Sequence, residues 1–435
     1  MKLTIALSNL KKELLLGSFF AFTIKAGGVA SAFALNIVIA RNLGAEQAGY
    51  FFLAQTILLI LAPFSRQGLD NCLIRFIAGY KDKDTNENNV AGIYRLALQR
   101  VTPVALSLSA SLWFASEWLA IYVFSKPQLG SALKLCSLAI TPLALAQLHA
   151  YCFQGKKRIV LSMLFESSAL ATLAFALICL IQPNNAPDTM RCYLLATLLV
   201  FGCALYIWNK GRNPKLFSLA PREREHVLST ARPMFVTFAL FQFIQWSSQL
   251  LLGIWEHASD IALFATAHRT AMLVSFILIA INSIAAPKFA EAYKLGELDE
   301  VRKIALHSSR IMTLTAFPVL VAMLLLAPAL MRLFGKEFED GAILLRILVL
   351  GQFVNILTGS VAYLLQMTGH EKLLRNNATI ATIFMVTGSL VFIPLFGVYG
   401  AAAVTALTVA GQNILCVYQV KRVLGFNTLS IFQKI

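Results

Sequence analysis

Charged and polar side chains stand inside several long apolar stretches of this sequence. Lys25 lies near the middle of residues 13–40, which are otherwise almost wholly apolar. A bare ammonium group costs about 2.5 to 3.5 kcal/mol at the centre of a membrane-spanning helix, so such a residue usually faces a bundle interior or a wet cavity. Helical spacing from Lys25 gives a small and polar stripe: Ser18, Gly28, Ala32 and Asn36. Lys25 is either a ligand for an anion or the partner of a buried carboxylate.

A second group of polar residues follows in the other half of the chain. Three glutamines at helical spacing, with a tryptophan beside them, lie in one apolar stretch: Gln242, Gln245, Trp246 and Gln249. The glutamines either bond between helices or contact a polar ligand. His268 and Arg269 are adjacent in the next stretch. Arg269 has the same two interpretations as Lys25, and His268 is either a packed, hydrogen-bonded histidine or a carrier of a coupling proton.

Three further ionisable residues lie near membrane depth. Arg66 contacts a ligand, extends to the membrane surface or pairs with Asp70. Glu117 and Glu166 are candidates for carrying a coupling proton. The sequence contains no phosphate-binding glycine loop, no zinc motif and no Ser/His/Asp cluster, and its seven cysteines lack metal or redox spacing. We therefore expect no catalytic residue, no cofactor and no metal site.

Composition places these residues in a membrane protein. The 435 residues are 58% hydrophobic and 13% charged, whereas soluble proteins average about 25% charged. The formal net charge is +16. We assign it to cytoplasmic loops rather than to nucleic-acid binding, because cytoplasmic loops of membrane proteins are enriched in Lys and Arg.

Apolar runs of about 20 residues predict twelve membrane-spanning helices. The first six are expected at 14–40, 47–69, 97–124, 131–153, 159–181 and 190–208. The second six are expected at 229–252, 259–285, 304–331, 341–367, 374–396 and 399–420. Roughly two thirds of the Lys and Arg residues then fall in loops on the side of the N-terminus, which predicts that both termini are cytoplasmic.

The two halves of the chain repeat each other. Residues 41–56, RNLGAEQAGYFFLAQT, align with residues 255–270, WEHASDIALFATAHRT. A direct repeat of six spans places the two halves in the same orientation, related by an axis along the membrane normal. We predict an all-α integral membrane fold of two six-helix lobes with this pseudo-two-fold symmetry. The lobes are residues 1–208 and 227–435, joined by a cytoplasmic linker, 209–226.

Several of these segments resemble one known family. RNLGAEQAGYFFLAQTILLI, the basic elbow IRFIAGY, its second-half partner PKFAEAY and the TGHEK turn are similar to the Wzx-type O-antigen and capsule flippases. These belong to the multidrug/oligosaccharidyl-lipid/polysaccharide exporter superfamily. The resemblance covers nearly the whole chain. It implies movement of an undecaprenyl-diphosphate-linked oligosaccharide from the inner to the outer leaflet of the bacterial plasma membrane.

The resemblance also implies roles and partners. Lys25 and Arg269 would attract the diphosphate in a central cavity to which Arg66 and His268 also belong. The sugar would contact Asn36, Gln242, Gln245, Trp246 and Gln249. Expected partners are the lipid-linked oligosaccharide, a coupling ion (H⁺ or Na⁺), membrane lipids and other polysaccharide-assembly membrane proteins, with no nucleic acid.

Four alternatives stay open at this point. A drug exporter of the same superfamily typically has an acidic residue in its first span, whereas that face carries Lys25 here. A lipid II flippase usually has two further spans. A polysaccharide polymerase or ligase usually needs a large extracytoplasmic loop, whereas the longest outer loop here is short. A membrane scaffold would leave the intramembrane cations unexplained.

Overall fold

A computed structural model of the chain describes the backbone of residues 2–79, 83–210 and 219–429, and within these ranges the side chains from residue 23 onward except 83–87. The regular secondary structure of these residues consists of helices alone, joined by short turns. Fifteen α-helices follow in order: α1 (Lys2–Ser65), α2 (Leu69–Gly79), α3 (Lys83–Trp118), α4 (Leu129–Gly155), α5 (Ile159–Met163), α6 (Ala169–Ile181), α7 (Ala186–Asn209), α8 (Pro221–Trp255), α9 (Ala258–Met272), α10 (Ser275–Lys294), α11 (Leu298–Leu325), α12 (Ala327–Arg332), α13 (Ala342–Thr358), α14 (Val361–Met367) and α15 (Glu371–Leu424). Short π-helical turns occur at Leu119–Val123 and Leu164–Ser168, and a 3₁₀ turn occurs at Lys336–Gly341.

Ten helical segments of the described chain are long and apolar enough to cross a bilayer. They are Thr23–Ser65, Asn88–Val123, Leu129–Gly155, Ile159–Ile181, Ala186–Asn209, Pro221–Trp255, Ala258–Lys294, Leu298–Leu325, Lys336–Thr358 and Glu371–Leu424. Bilayers require about 20 apolar residues per helical span. The chain is therefore a multi-pass membrane protein, as its composition predicts.

The count of ten differs from the predicted twelve because two of the segments are much longer than one span. Thr23–Ser65 has 43 residues and Glu371–Leu424 has 54, which at 1.5 Å per residue is about 65 and 81 Å of helix. Each contains one glycine with non-helical backbone angles: Gly44 (φ 70°, ψ 174°) and Gly397 (φ 58°, ψ −137°). Only glycine adopts these conformations readily, so each long segment consists of two helices joined at an elbow.

A carboxylate from another turn stabilises the elbow at Gly44. The backbone N–H of Ala45 donates a hydrogen bond to Glu337 Oε2 at 3.0 Å. Ala45 begins the second half of α1, where backbone N–H groups have no partner within their own helix and the helix dipole favours a negative charge. Glu337 is supplied by the 3₁₀ turn Lys336–Gly341.

Backbone contacts divide the chain into two units. The first unit comprises Met1–Leu43 and Ala54–Phe238, and the second comprises Gly44–Leu53 and Ala239–Ile435. The predicted lobes have different bounds, 1–208 and 227–435, and they stay a prediction. Residues 211–218 of the predicted linker, and the side chain of Ser18, lie outside the described residues.

Small residues allow close helix packing inside the first unit. α4 packs against both α3 and α7, and its fully buried positions include Ala132, Ala139 and Ala144. Small side chains at such positions let helix backbones approach closely, which is how helices associate within a bilayer. In the second unit α13 packs against α15 and α9, and α9 carries two residues of the site described next.

Candidate functional site

The polar residues predicted on the seventh and eighth spans lie on α8 and α9, in the second unit. Gln249 Nε2 donates a hydrogen bond to the backbone carbonyl of Phe52 at 3.2 Å. The guanidinium carbon of Arg269 lies 4.3 Å from the centre of the Phe52 ring, which is a cation–π geometry. Phe52 therefore joins the amide of α8 and the cation of α9 in one cluster.

Two aromatic rings enclose the histidine of this cluster. His268 is only 6% exposed. Its ring stacks on Phe264 with centroids 5.7 Å apart and planes at 12°. The Trp246 ring meets it edge to face at 6.5 Å. These contacts fix the orientation of the imidazole beside Arg269.

Two buried polar atoms of the cluster have unused hydrogen-bonding capacity. Within the described part of the chain, no group hydrogen-bonds to His268 Nδ1 or to Gln249 Oε1, although both atoms are buried. Leaving such an atom unsatisfied costs roughly 1 to 3 kcal/mol. A ligand that carries hydroxyl or amide groups would recover this energy by bonding to them.

The other two glutamines extend the same helix face toward the start of α8. Gln245 Nε2 donates to the thioether sulfur of Met272 at 3.0 Å. Gln242 lies one turn earlier and is half-buried. A thioether is a weak acceptor, so Gln245 gives up little by exchanging it for a polar ligand.

Lys25 and Asn36 lie on α1, in the first unit. Lys25 is half-buried, and no described carboxylate pairs with it. Asn36 Nδ2 donates to the carbonyl of Ala32 in its own helix at 2.7 Å. Gly28 packs so closely on Ser168 that a Cβ atom would lie 2.6 Å from the Ser168 Cβ. Part of the small and polar stripe therefore packs against a neighbouring helix.

Arg66 is held in a buried hydrogen-bond network of the first unit. It is 2% exposed. Its Nε and Nη2 donate to the two carboxylate oxygens of Asp70 at 2.7 and 3.0 Å, and its Nη1 donates to Gln147 Oε1. The Tyr151 ring lies 5.6 Å from the guanidinium carbon. The structure contains the ion pair of Arg66 with Asp70, and the ligand role of Arg66 stays a prediction.

The two acidic candidates occupy different surroundings. Glu117 forms an ion pair with Lys134, and both side chains are exposed. Glu166 is half-buried in the π-helical turn Leu164–Ser168, a type of turn that is frequent at functional sites. Its backbone carbonyl accepts a hydrogen bond from Gln147 Nε2 at 3.3 Å. Gln147 thus links Glu166 to Arg66.

The nine predicted binding residues fall into two groups. Three belong to the first unit: Lys25, Asn36 and Arg66. Six belong to the second unit: Gln242, Gln245, Trp246, Gln249, His268 and Arg269. The second group forms one continuous set of neighbours on α8 and α9, whereas α1 carries Lys25 and Asn36 and the loop after it carries Arg66.

Sequence reasoning missed Phe52 and the pair Gln147 and Tyr151. Phe52 acts through its backbone carbonyl and its ring, and an aromatic residue in an apolar run gives no signal of either contact. Gln147 and Tyr151 are four residues apart in an apolar span. Polar residues at that spacing share a helix face, so they could have been identified from the sequence.

The chain matches two protein families. The family described as polysaccharide biosynthesis protein matches residues 15–293, and the MatE family matches residues 233–383. The probable low-salt glycan biosynthesis flippase Agl15 of Haloferax volcanii is 22% identical over 384 residues, which is 86% of this chain and 77% of that protein. The probable flippase AglR of the same organism is 25% identical over 175 residues. This match covers 40% of this chain and 37% of the length of AglR.

Solved structures share the fold. An inward-facing multidrug resistance MATE family transporter of the MOP superfamily aligns with a TM-score of 0.78 and 14% identity, covering 96% of this chain and 99% of that chain. The lipid II flippase MurJ in an inward closed conformation aligns with a TM-score of 0.73 and 14% identity, covering 94% and 87%. The resemblance drawn from the sequence is confirmed. Because the first family covers residues 15–293 of 435, the chain belongs to the polysaccharide biosynthesis protein family, with the fold of the MOP transporter superfamily.

Proposed function

We propose that this protein is a flippase that moves an undecaprenyl-diphosphate-linked oligosaccharide from the inner to the outer leaflet of the bacterial plasma membrane. The observation that carries the proposal is the cluster on α8 and α9. Inside a membrane-spanning unit of a polysaccharide-family protein, it combines an aromatic ring, two unsatisfied buried polar atoms and a cation. A sugar diphosphate offers a ring face, hydroxyl groups and negative charge, so each feature of the cluster has a counterpart.

We assign roles to the residues within this proposal. Lys25 and Arg269 attract the diphosphate, because a cation inside a membrane span is stabilised by an anionic ligand. Trp246, Gln249 and His268 contact the sugar, and Gln242, Gln245 and Asn36 are further candidate sugar contacts. Arg66, already bound to Asp70, shapes the path by its position and its charge.

We further propose that transport follows alternating access and is coupled to an ion gradient, H⁺ or Na⁺. Glu166 is the favoured coupling group, because the residue is half-buried and its backbone carbonyl is linked through Gln147 to Arg66. Glu117 is disfavoured, because it is exposed and paired with Lys134. If two conformations of the protein bind the ion with different affinities, ion binding shifts the equilibrium between them.

The proposed architecture is twelve helices in two six-helix lobes, with both termini in the cytoplasm. The elbows at Gly44 and Gly397 support it, because dividing two of the ten candidate segments at these glycines gives twelve. The same arrangement supports a transporter over an enzyme. A multidrug exporter, a lipid II flippase and a polysaccharide polymerase or ligase are the competing functions.

The test is a deletion strain complemented with variants. We expect deletion to reduce surface polysaccharide and to accumulate lipid-linked intermediate on the inner leaflet. Wild type and Lys134→Ala should restore transport, whereas Lys25→Ala should reduce it at least about tenfold, since losing one stabilising charge contact is worth about 1.4 kcal/mol or more. Lys134 is the matched control because its ammonium is paired with Glu117.

Other outcomes identify the competing functions. Unchanged polysaccharide and unchanged lipid-linked pools in the deletion strain would reject a flippase. Intermediate that reaches the outer leaflet but stays unpolymerised would indicate a polymerase or ligase. Full complementation by Lys25→Ala would remove Lys25 from the proposed anion site.

A further inference from the structure

The first turns of α8 border a surface cavity that contains none of the residues assigned above. Its volume is about 330 Å³. Its lining includes two arginines, a glutamate, a serine and two leucines: Arg224, Arg232, Glu225, Ser229, Leu219 and Leu228. All of these residues belong to the first unit. The lining thus combines two guanidinium groups with the apolar side chains of two leucines.

The arginines are held on one stripe of a firmly packed helix. Arg224, Leu228 and Arg232 are spaced by four residues and therefore share a face of α8. A neighbouring face is buried, with Val227 and Ala231 each 3% exposed. A Cβ atom on Gly68 would lie 2.6 Å from the carbonyl oxygen of Ala231, so the backbones touch there. This packing fixes the helix while its arginine stripe stays open.

The charges in the cavity favour an anion that also carries hydroxyl groups. Neither Arg224 nor Arg232 forms an ion pair with any described residue. Planar guanidinium groups bind phosphate oxygens with two parallel hydrogen bonds. Glu225 leaves the cavity with one net positive charge and adds a hydrogen-bond acceptor. Pro233 has no N–H, so the carbonyl of Ser229 lacks its helical donor and is a second acceptor.

In the proposed topology the cavity lies at the depth of the cytoplasmic lipid head groups. α8 has 35 residues and is about 52 Å long, whereas the hydrocarbon core is about 30 Å thick. In the proposed topology the residues before the predicted span 229–252 extend past the hydrocarbon on the cytoplasmic side, and Ser229 and Arg232 lie in the first turn of that span. The cytoplasmic leaflet is the one in which a flippase substrate is made available.

We propose that this cavity is a loading site for the sugar-diphosphate head group of a polyprenyl-linked lipid at the cytoplasmic surface. The proposal rests on the proposed function and adds a second, peripheral site to it. Arg224 and Arg232 bind the diphosphate, Glu225 and the Ser229 carbonyl accept hydrogen bonds from the first sugar, and Leu219 and Leu228 contact the first isoprene units.

Photocrosslinking of the full chain in phosphatidylcholine nanodiscs tests this site. The probe is a farnesyl-diphosphate-linked N-acetylglucosamine that bears a benzophenone, and the readout is label on the peptide that contains residues 219–232. We expect Arg224→Gln combined with Arg232→Gln to lower the label at least about tenfold, as expected for two lost charge-assisted hydrogen-bond pairs. Arg222→Gln is the matched control, because Arg222 is exposed on the same turn but does not line the cavity. It should change the label less than about twofold.

Three outcomes would overturn the proposal. Equal labelling of the double variant and wild type would exclude the arginines as ligands. Loss of label when phosphatidylglycerol replaces part of the phosphatidylcholine would indicate a site for bulk anionic lipid. Loss of label with inorganic diphosphate at the probe's own concentration would indicate a site for free anions.

A flipping assay separates failure of the loading site from failure of the proposed function. In proteoliposomes the wild-type protein should move the lipid-linked sugar, and the double variant should need more substrate to reach the same maximal rate. If wild type flips and the variant matches it at every concentration, the loading site is rejected and the flippase proposal stands. If wild type does not flip, the proposed function itself is rejected.

Discussion

At the residue scale, the partner of each intramembrane charge separates structural charges from candidate ligands. Arg66 has a two-pronged bond to Asp70, and Lys134 has Glu117. Lys25 has no described carboxylate partner. A buried ion pair that loses one member leaves an uncompensated charge, whereas an unpaired cation near a path can be neutralised by substrate. We therefore expect substitutions in the buried Arg66 pair to affect stability, and substitution of Lys25 to affect transport.

Asp70→Asn should destabilise the protein without removing a substrate contact. The Arg66 and Asp70 side chains are only 3% and 13% exposed, and breaking a buried pair typically costs about 3 to 5 kcal/mol. We expect a clear fall in the thermal unfolding midpoint of the detergent-solubilised protein. Replacing both residues, as Arg66→Met with Asp70→Leu, should cost less than the single change.

The control for this prediction is the exposed pair of Arg191 and Asp188, whose side chains are 65% and 39% exposed. Asp188→Asn should leave the unfolding midpoint nearly unchanged, because exposed pairs contribute little. Equal shifts for Asp70→Asn and Asp188→Asn would show that burial does not strengthen the Arg66 pair.

At the element scale, glycines decide where helices bend and how closely they approach. Gly44 and Gly397 have positive φ angles and interrupt helical runs of 43 and 54 residues. Gly28 serves a different purpose, because it lies within a regular part of α1 and lets Ser168 approach that helix. Ser168 Oγ donates to the carbonyl of Ile24 at 3.3 Å in the same contact. This contact positions Lys25 relative to the π-helical turn that carries Glu166.

The adjacent glycines Gly27 and Gly28 provide a matched test of this contact. A Cβ at Gly28 would lie 2.9 Å from the backbone Cα of Ser168, whereas a Cβ at Gly27 has no atom within 4 Å. Gly28→Ala should destabilise the protein by about 1 to 3 kcal/mol, because the added methyl group overpacks the contact. We therefore expect a lower unfolding midpoint and a lower transport rate. Gly27→Ala should be neutral or stabilise by about 0.4 to 1 kcal/mol, since alanine restricts the unfolded chain.

Ser168→Gly should partly restore the Gly28→Ala variant, because it removes the hydroxyl and Cβ from the contact. If Gly28→Ala has the unfolding midpoint and transport rate of Gly27→Ala, the close approach of α1 and the π-helical turn is not required.

At the scale of the whole molecule, family membership and the ten candidate spans establish a multi-pass MOP-type protein. The distribution of Lys and Arg in the loops predicts that both termini lie in the cytoplasm. This orientation also determines whether the cavity at the start of α8 faces the leaflet from which substrate is loaded.

Cysteine labelling with a membrane-impermeant maleimide tests the orientation. Asn184 precedes α7 and Arg222 lies at the start of α8. In intact cells Asn184→Cys should be labelled, whereas Arg222→Cys should be labelled only after permeabilisation. The background is the chain with Cys179→Ser and Cys203→Ser, because these are the exposed cysteines of the described residues. The opposite pattern would invert the topology and place the loading cavity on the outer face.

Local chemistry made the membrane class, the polar faces and the family resemblance predictable. Apolar runs and loop charges are additive properties of a sequence, and the glutamine face of α8 follows from helical periodicity alone. The pairing of Lys134 with Glu117 was less predictable, because those residues are 17 positions apart on α3 and α4. Gly44 and Gly397 fall in the predicted breaks between spans, but the positive φ angles by which each joins two helices at an elbow were not predicted.

The sequence by itself determined that the chain crosses a membrane many times and carries cations and amides inside its spans. Only the tertiary structure decided that Arg66 is bound to Asp70 and Gln147, and that Phe52 joins Gln249 and Arg269. It alone revealed the arginine-lined cavity beside α8. The physical reason is that hydropathy depends on each residue's own chemistry, whereas the partner of a buried charge or amide depends on which distant backbone and side-chain atoms the fold brings within about 3 Å of it.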